Sequence, residues 1–186
     1  MPRPTIFEFP DYGCGKLSTE EIAGIITAIQ SVFLRLRNCL EKVKPLYQAY
    51  GLTPACLGII ARDLSEQIEV AIRQHCPSFT KGRRHCDLAR GEENWEVKVC
   101  QRSGLTINQS TPVEGKNYIV TNYDLSTGQI TAIWVLWNAA DIFFSPRRSN
   151  SNARALKLKK ARPNIQVLLG SRRWEERPRI QLTFGL

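Results

Sequence analysis

Three charged residues near the middle of the chain have types and a spacing that suit phosphodiester chemistry. Eight residues separate Asp87 from Glu96, and Lys98 follows two positions later in the segment 94–101, NWEVKVCQ. Apolar and charged residues alternate there, which predicts a strand with Glu96 and Lys98 on one face, about 6.5–7 Å apart. The simplest interpretation is that this face is exposed to water. The alternative is that the pair holds a metal ion and a phosphate.

A predicted hairpin brings the first of these residues to the other two. Short strands are expected at 85–89 and 95–100, on either side of a turn at 90–93. Antiparallel pairing about that turn places Asp87 close to Glu96 or one step diagonal to it. Two carboxylates at that distance need a cation, and Mg²⁺ binds one or two carboxylates while keeping waters and accepting phosphate oxygens.

This arrangement resembles the PD-(D/E)xK nuclease superfamily, which includes many restriction endonucleases and archaeal Holliday-junction resolvases. The resemblance rests on Asp87, the eight-residue spacing and the Glu-Val-Lys triplet that ends at Lys98, and it spans about residues 60–140. In that family a helix before the hairpin contributes a further acidic residue. Glu66 best matches that position, and Glu69 is the alternative.

The resemblance implies metal-dependent hydrolysis of a DNA phosphodiester. Asp87 and Glu96 would ligate Mg²⁺, with Mn²⁺ as a substitute and the carbonyl of Val97 as a further ligand. Water on the ion would be the nucleophile. Lys98 would orient that water and offset the charge that develops on the phosphorus centre. Glu66 would hold a second metal ion or a water.

The rest of the pattern predicts an α/β (α+β) fold. We expect a restriction-endonuclease-like core with a mixed central sheet flanked by helices, plus an N-terminal helix. The predicted domains are an N-terminal helical extension, 1–50, and a nuclease core with a basic C-terminal segment, 51–186. The main predicted elements are helices at 18–49 and 54–75, strands at 117–123 and 129–137, a buried segment at 141–144, a short basic helix at 153–161 and a last strand at 164–169; residues 101–115 are predicted to be loop.

The net charge of +9 lies entirely in the second part of the chain. Residues 1–80 hold eight basic and eight acidic side chains, whereas residues 81–186 hold 18 basic and nine acidic ones. Such a one-sided basic surface is typical of a nucleic-acid-binding protein, although a basic protein without a polyanionic partner is the alternative. The residues expected to contact DNA are Lys81, Arg83, Arg84, Arg147, Arg148, Arg154, Lys157 and Lys160.

The six cysteines are scattered without a C-x-x-C pair, and we expect them to be free thiols. The two His-Cys dipeptides, at 75–76 and 85–86, leave a zinc site as an alternative. No stretch of about 18 uncharged apolar residues predicts a membrane span. The N-terminal residues do not read as a secretory signal, so the expected location is cytoplasmic.

Three functions remain open from the sequence. The first is a Mg²⁺-dependent DNA endonuclease of type II restriction or resolvase type, expected to be a homodimer because cutting both strands usually takes two sites. The second is a non-catalytic nucleic-acid-binding protein on the same fold. The third is a zinc-stabilised interaction module that uses the two His-Cys pairs.

Overall fold

A computed structural model shows three α-helices and eight strands in the part of the chain that it describes. The described residues are 17–51, 63–83, 86–101, 104–108, 110, 112–146 and 152–170. The helices are α1 (Thr19–Ala49), α2 (Leu64–His75) and α3 (Leu158–Ala161). The strands are β1 (Thr80–Lys81), β2 (Leu88–Arg90), β3 (Glu93–Cys100), β4 (Thr106–Asn108), β5 (Asn117–Asp124), β6 (Gln129–Leu136), β7 (Ala153–Ala155) and β8 (Ile165–Leu169).

The strands form a mixed six-stranded sheet and a separate two-stranded sheet. The large sheet has the order β1-β2-β3-β5-β6-β8, and the small one pairs β4 with β7. Within the large sheet β3 and β5 run parallel, while the other neighbours are antiparallel. The predicted α+β class, a mixed sheet flanked by helices with a further N-terminal helix, is confirmed.

Helix α1 begins at a capping box and packs its apolar face on the sheet. The Ser18 hydroxyl accepts from the backbone of Glu21, whose carboxylate accepts from the Ser18 backbone, so two free N–H groups of the first turn are satisfied. Ile25 and Ile29, with no exposed surface, belong to the same apolar cluster as the sheet residues. The helix continues through Pro45 to Ala49, where the sequence predicts its end. The division at residue 50 stays a prediction.

Helix α2 covers the same face of the sheet. Its buried residues, Leu64, Ile68, Ala71 and Ile72, follow the predicted helical period. The helix ends before Pro77, as predicted, with Cys76 as its C-cap. The earlier turns of the predicted helix, residues 54–62, lie outside the described residues.

Two apolar clusters cover opposite faces of the sheet, because alternate residues of a strand point to opposite sides. Trp95 and Val97 of β3 face α1 and α2. Tyr118 and Val120 of β5 face the second cluster, which includes residues of β4, α3 and β8. Glu96 is paired with Tyr118 in the parallel ladder. Glu96 and Lys98 of β3 therefore lie on the second face.

Three predictions for the C-terminal half are wrong in whole or in part. Residues 101–115, predicted to be loop, contain β4. Residues 153–161, predicted to be one helix, form β7 and then the short α3, because β7 pairs with β4 and turns Arg154 inward. Over 141–144 only Phe144 is buried, and Ile142 is exposed in a 3-10 turn.

No helix among the described residues has the length and apolar character needed to cross a membrane.

Candidate active site

The β2–β3 hairpin sets the position of Asp87. Arg90 pairs with Glu93 across a turn in which Gly91 has a φ of 57°, a conformation that glycine adopts without strain. The ladder ends at Leu88, which pairs with Trp95, and the Asp87 backbone N–H donates to the same Trp95 carbonyl at 3.0 Å, so the backbone of Asp87 is held against β3 directly beyond the ladder. The predicted hairpin is present, and β2 begins directly after Asp87.

The side chains of Asp87, Glu96 and Lys98 converge on one side of this hairpin. The Lys98 ammonium lies 2.8 Å from Glu96 Oε2 and 3.5 Å from Asp87 Oδ2. One cation therefore reaches both carboxylates. The geometric prediction from the sequence, that a carboxylate before the turn meets another beyond it, is confirmed.

Glu96 is buried, with 4% of its surface exposed. The simplest interpretation of the sequence, a face open to water, is therefore wrong for this residue. Its second oxygen, Oε1, accepts from the Lys116 ammonium at 2.6 Å. Lys116 directly precedes β5, the parallel neighbour of β3, and no local pattern in the sequence links it to Glu96.

The charges of Glu96 and Lys98 stabilise each other. Burial alone would raise the pKa of Glu96, but hydrogen bonds from Lys116 and Lys98 bring it below its ordinary value. Burial alone would lower the pKa of Lys98, but hydrogen bonding to Glu96 and the charges of Glu96 and Asp87 raise it. Both groups are therefore charged at neutral pH.

Helix α2 supplies an acidic residue to the surroundings of this site, but not the one that best matched the resemblance. Burial and the charge of Asp87 raise the pKa of Glu69 to about 7, against the opposing effect of Lys98. Glu66 is exposed on the same helix and adds to the repulsion at Glu69. Glu69, the alternative that the sequence left open, is thus the residue with an electrostatic interaction with Asp87 and Lys98, and the catalytic role of Glu66 stays a prediction.

Val97 presents its backbone to the same edge of the site. Its N–H donates to Asp87 Oδ2 at 2.7 Å. Because the N–H and C=O of one strand residue point to the same side, the Val97 carbonyl also faces the Asp87 side of β3. This direction fits the role of ligand that the resemblance implies for that carbonyl.

Two further polar side chains border Glu96. Burial raises the pKa of Cys86, helped by the charges of Glu96 and Asp87 and opposed by Lys116. Burial and the charge of Glu96 also raise the pKa of Tyr118. The Tyr118 hydroxyl is buried and has no hydrogen-bond partner among the described residues. An unpaired buried polar group is rare in a folded protein.

Two residues, Asp87 and Glu96, supply oxygen atoms that could bind one divalent ion. Among the described residues, no three His, Cys, Asp or Glu side chains form a group that could hold a metal ion. Asp87 and Glu96 nevertheless both approach a single cation, the Lys98 ammonium, and carboxylate oxygens with added water are the ligands Mg²⁺ prefers. The pair fits the predicted ion if Lys98 moves off the carboxylates.

Two exposed cations lie on the chain that leads to Asp87. Lys81 is on the edge strand β1, opposite Leu88, and Arg83 follows Gly82. The Gly82 N–H donates to the Asp87 carbonyl at 3.1 Å. A Cβ on Gly82 would lie 2.2 Å from the Cys86 carbonyl oxygen, so only glycine lets the two segments approach this closely. The backbone that carries both cations is thus held against the site.

Arg154 is not available to DNA, and its predicted role as a DNA contact is corrected. Its surface is 1% exposed, and its guanidinium donates to the Asp141 carboxylate and to the carbonyls of Ser145 and Asp141. The guanidinium also lies 5.7 Å from the ring centre of Phe144. Arg154 stabilises the β4–β7 side of the molecule.

The other predicted DNA contacts divide into two groups. Lys160 is exposed on α3 and Lys157 is partly exposed directly before it. Arg84, Arg147 and Arg148 lie outside the described residues.

At the predicted zinc ligands, His75 is exposed, while the buried Cys76 thiol donates to the Glu21 carbonyl at 3.7 Å. His85 lies outside the described residues.

The chain matches no family model, no curated protein and no solved structure. Membership of the PD-(D/E)xK superfamily therefore stays a prediction, carried by the residues around Asp87.

Proposed function

We propose that this protein is a Mg²⁺-dependent DNA endonuclease of type II restriction or resolvase type, acting in the cytoplasm as a homodimer. The observation that carries the proposal is the convergence of Asp87, Glu96 and Lys98, with Lys98 at 2.8 and 3.5 Å from the two carboxylates. Two carboxylates that meet beside a lysine can hold a divalent ion next to a phosphate and stabilise its added charge, which is what metal-dependent phosphodiester hydrolysis needs.

The acidity of the surroundings supports a catalytic interpretation over a purely structural one. Glu69 lies within electrostatic range of Asp87, which shares the Lys98 ammonium with Glu96. Burial, together with the charges of Asp87 and Glu66, raises the pKa of Glu69 to about 7. Groups with strongly shifted pKa values beside a specific charged partner concentrate at functional sites.

Each residue has a role that follows from its contacts. Asp87 and Glu96 would hold Mg²⁺ or Mn²⁺, and the bound ion supplies Lewis acidity and a more acidic water. Lys98, charged at neutral pH, would donate to the reacting phosphate and stabilise its added negative charge. Glu69, with a pKa near neutrality, can take up or release a proton there.

Lys81 and Arg83 would bind phosphates beside the scissile bond. Both are exposed, and the backbone between them is hydrogen-bonded to Asp87. Such contacts supply affinity and register without reading the base sequence.

The first test is cleavage of plasmid and of branched DNA with Mg²⁺, with Mn²⁺ and with EDTA. We expect cleavage with either ion and none with EDTA. Asp87→Asn, Glu96→Gln and Lys98→Met should each lower the cleavage rate about 100-fold or more, because each removes charge that acts on the reacting phosphate.

Glu92→Gln is the matched control, since Glu92 is exposed in the hairpin turn and has the same charge as Glu96. It should cut DNA like the parent. The assignment is wrong if all three site variants also cut like the parent, or if the parent cleaves equally well in EDTA.

A second function, a non-catalytic nucleic-acid-binding protein, is favoured by one observation. Both oxygens of Glu96 are already bonded to ammonium groups, those of Lys98 and Lys116. If these are plain structural ion pairs, the protein should bind DNA strongly at low salt and cut it with no divalent ion. Fluorescence anisotropy over a salt series, run beside the cleavage assay, separates the two functions.

A further inference from the structure

The two lysines that contact Glu96 differ in how firmly they are held. Lys116 lies 2.6 Å from Oε1, and its side chain is 10% exposed. Lys98 lies 2.8 Å from Oε2, but 29% of its side chain is exposed, and its ammonium is shared with Asp87. Lys98 therefore has access to solvent that Lys116 lacks.

Backbone hydrogen bonds also hold Lys116 in place. The Lys116 N–H donates to the Val113 carbonyl at 3.2 Å, and the Lys116 carbonyl accepts from Ala139 at 2.8 Å. These bonds fix the start of the Lys116 side chain beside β5. Lys116 is thus a fixed counter-cation of Glu96, whereas Lys98 can leave the carboxylates along its long, partly exposed stem.

The four groups at the centre are balanced in charge. Asp87 and Glu96 contribute two negative charges, and Lys98 and Lys116 contribute two positive ones. A divalent cation entering the free protein must therefore displace an ammonium group before it reaches two carboxylate oxygens. A phosphate oxygen, in contrast, is attracted by the more exposed of the two ammonium groups.

We propose that a nucleic-acid phosphate draws Lys98 off Asp87 and Glu96, so that the divalent cation and the DNA backbone bind cooperatively to this protein. Lys116 stays on Glu96 and keeps its carboxylate in place. This inference rests on the proposed function, because it takes the same carboxylates as the metal site. By linkage, DNA must increase the affinity of the protein for the metal ion by the same factor as the metal ion increases its affinity for DNA.

The experiment measures free Mn²⁺ by electron paramagnetic resonance, with the whole protein alone and with a phosphorothioate-substituted duplex that resists cleavage. A titration of the duplex alone corrects for Mn²⁺ bound by DNA. We expect the Kd of the protein for Mn²⁺ to fall about tenfold or more when the duplex is present. The reciprocal titration, duplex affinity with and without Mn²⁺, should give the same factor.

Two variants separate the roles of the lysines. Lys98→Met removes the displaceable cation, so Mn²⁺ should bind the free protein more tightly than it binds the parent, with little further gain from DNA. Lys116→Met makes the site more negative but leaves Lys98 in place. It should bind Mn²⁺ more tightly with and without DNA and keep the ratio between the two states.

The outcomes distinguish this inference from the proposed function. An unchanged Mn²⁺ affinity on adding DNA, full coupling in Lys98→Met, or no Mn²⁺ binding at all overturns the inference. DNA cleavage by a protein that shows no coupling leaves the proposed function intact. Coupling without cleavage by any ion supports the inference and overturns the nuclease. The parent comparison needs no variant, so a misfolded variant does not remove the test.

Discussion

Two cations on the same side of the molecule, Arg154 and Lys98, show opposite ways of accommodating charge. Arg154 is almost fully buried and bonded to one carboxylate and two carbonyls, those of Asp141 and Ser145. Lys98 is partly exposed and is shared between two carboxylates, one of which already has another lysine. The first cation is enclosed among fixed partners, whereas the second remains within reach of a ligand.

The difference teaches how to separate a structural charge from a functional one in this fold. A charge that is buried with a full set of partners is costly to disturb and has no capacity left for a ligand. A cluster in which one partly exposed cation is shared between two carboxylates can respond to a new cation or anion.

The largest expected effect on stability is at Arg154. Arg154→Met should lower the free energy of unfolding by about 2 kcal/mol, because it removes the hydrogen bonds of a buried guanidinium to the Asp141 carboxylate and to two carbonyls. Lys98→Met should cost no more than about 1 kcal/mol, since its partners keep contact with Lys116 or with water. Urea unfolding of both variants measures the contrast, and an equal loss would show that Lys98 is as structural as Arg154.

A smaller effect concerns the pH dependence of stability at Glu69. Its pKa rises from 4.5 in the unfolded chain to about 7 in the fold, so the native state binds more protons and stability falls as pH rises between these values. Glu69→Gln removes that loss. The variant should gain roughly 1 kcal/mol on the parent at pH 8, after a discount for partial exposure, and little at pH 4.

Chemical denaturation at the two pH values measures the gain. Glu66→Gln is the matched control, three residues earlier on the same helix and exposed. Glu66→Gln should change the difference in the free energy of unfolding between the two pH values far less than Glu69→Gln does. A gain equal to that of Glu69→Gln would return the acidic role to Glu66, the residue chosen from the resemblance.

The smallest expected effect is on DNA binding by the exposed cations. Lys81→Gln and Arg83→Gln should each weaken binding a few-fold and reduce the slope of log affinity against log salt by about 1. Lys42→Gln, exposed on α1, is the control and should leave the slope unchanged. Equal slopes for all three variants would place the DNA elsewhere on the protein.

The local parts of the site could be predicted from the sequence. Alternation over 94–101 and the turn at 90–93 are short-range signals, and they were enough to bring Asp87 to Glu96. The start of α1 followed in the same way, because a capping box lies within four consecutive residues. Contacts of this kind depend on neighbours in the chain.

The long-range parts could not be predicted. Lys116 reaches Glu96 only because β5 lies parallel to β3, a pairing that no residue near Lys116 indicates. The sequence pattern predicts that Arg154 is part of a basic helix. In the structure β7 pairs with β4, and this pairing turns Arg154 inward. The choice between Glu66 and Glu69 depended on the rotation of α2, which a one-helix pattern sets only to within a turn.

The hydrogen bond from the Val97 N–H to the Asp87 carboxylate also bears on solubility. Among the described residues, no strand pairs with 97–100 on that side of β3, and an unpaired strand edge invites association with other chains. A negative charge placed on such an edge discourages that association. Replacing Asp87 by an apolar residue therefore risks aggregation that would be mistaken for lost chemistry, whereas asparagine retains the acceptor and separates the two effects.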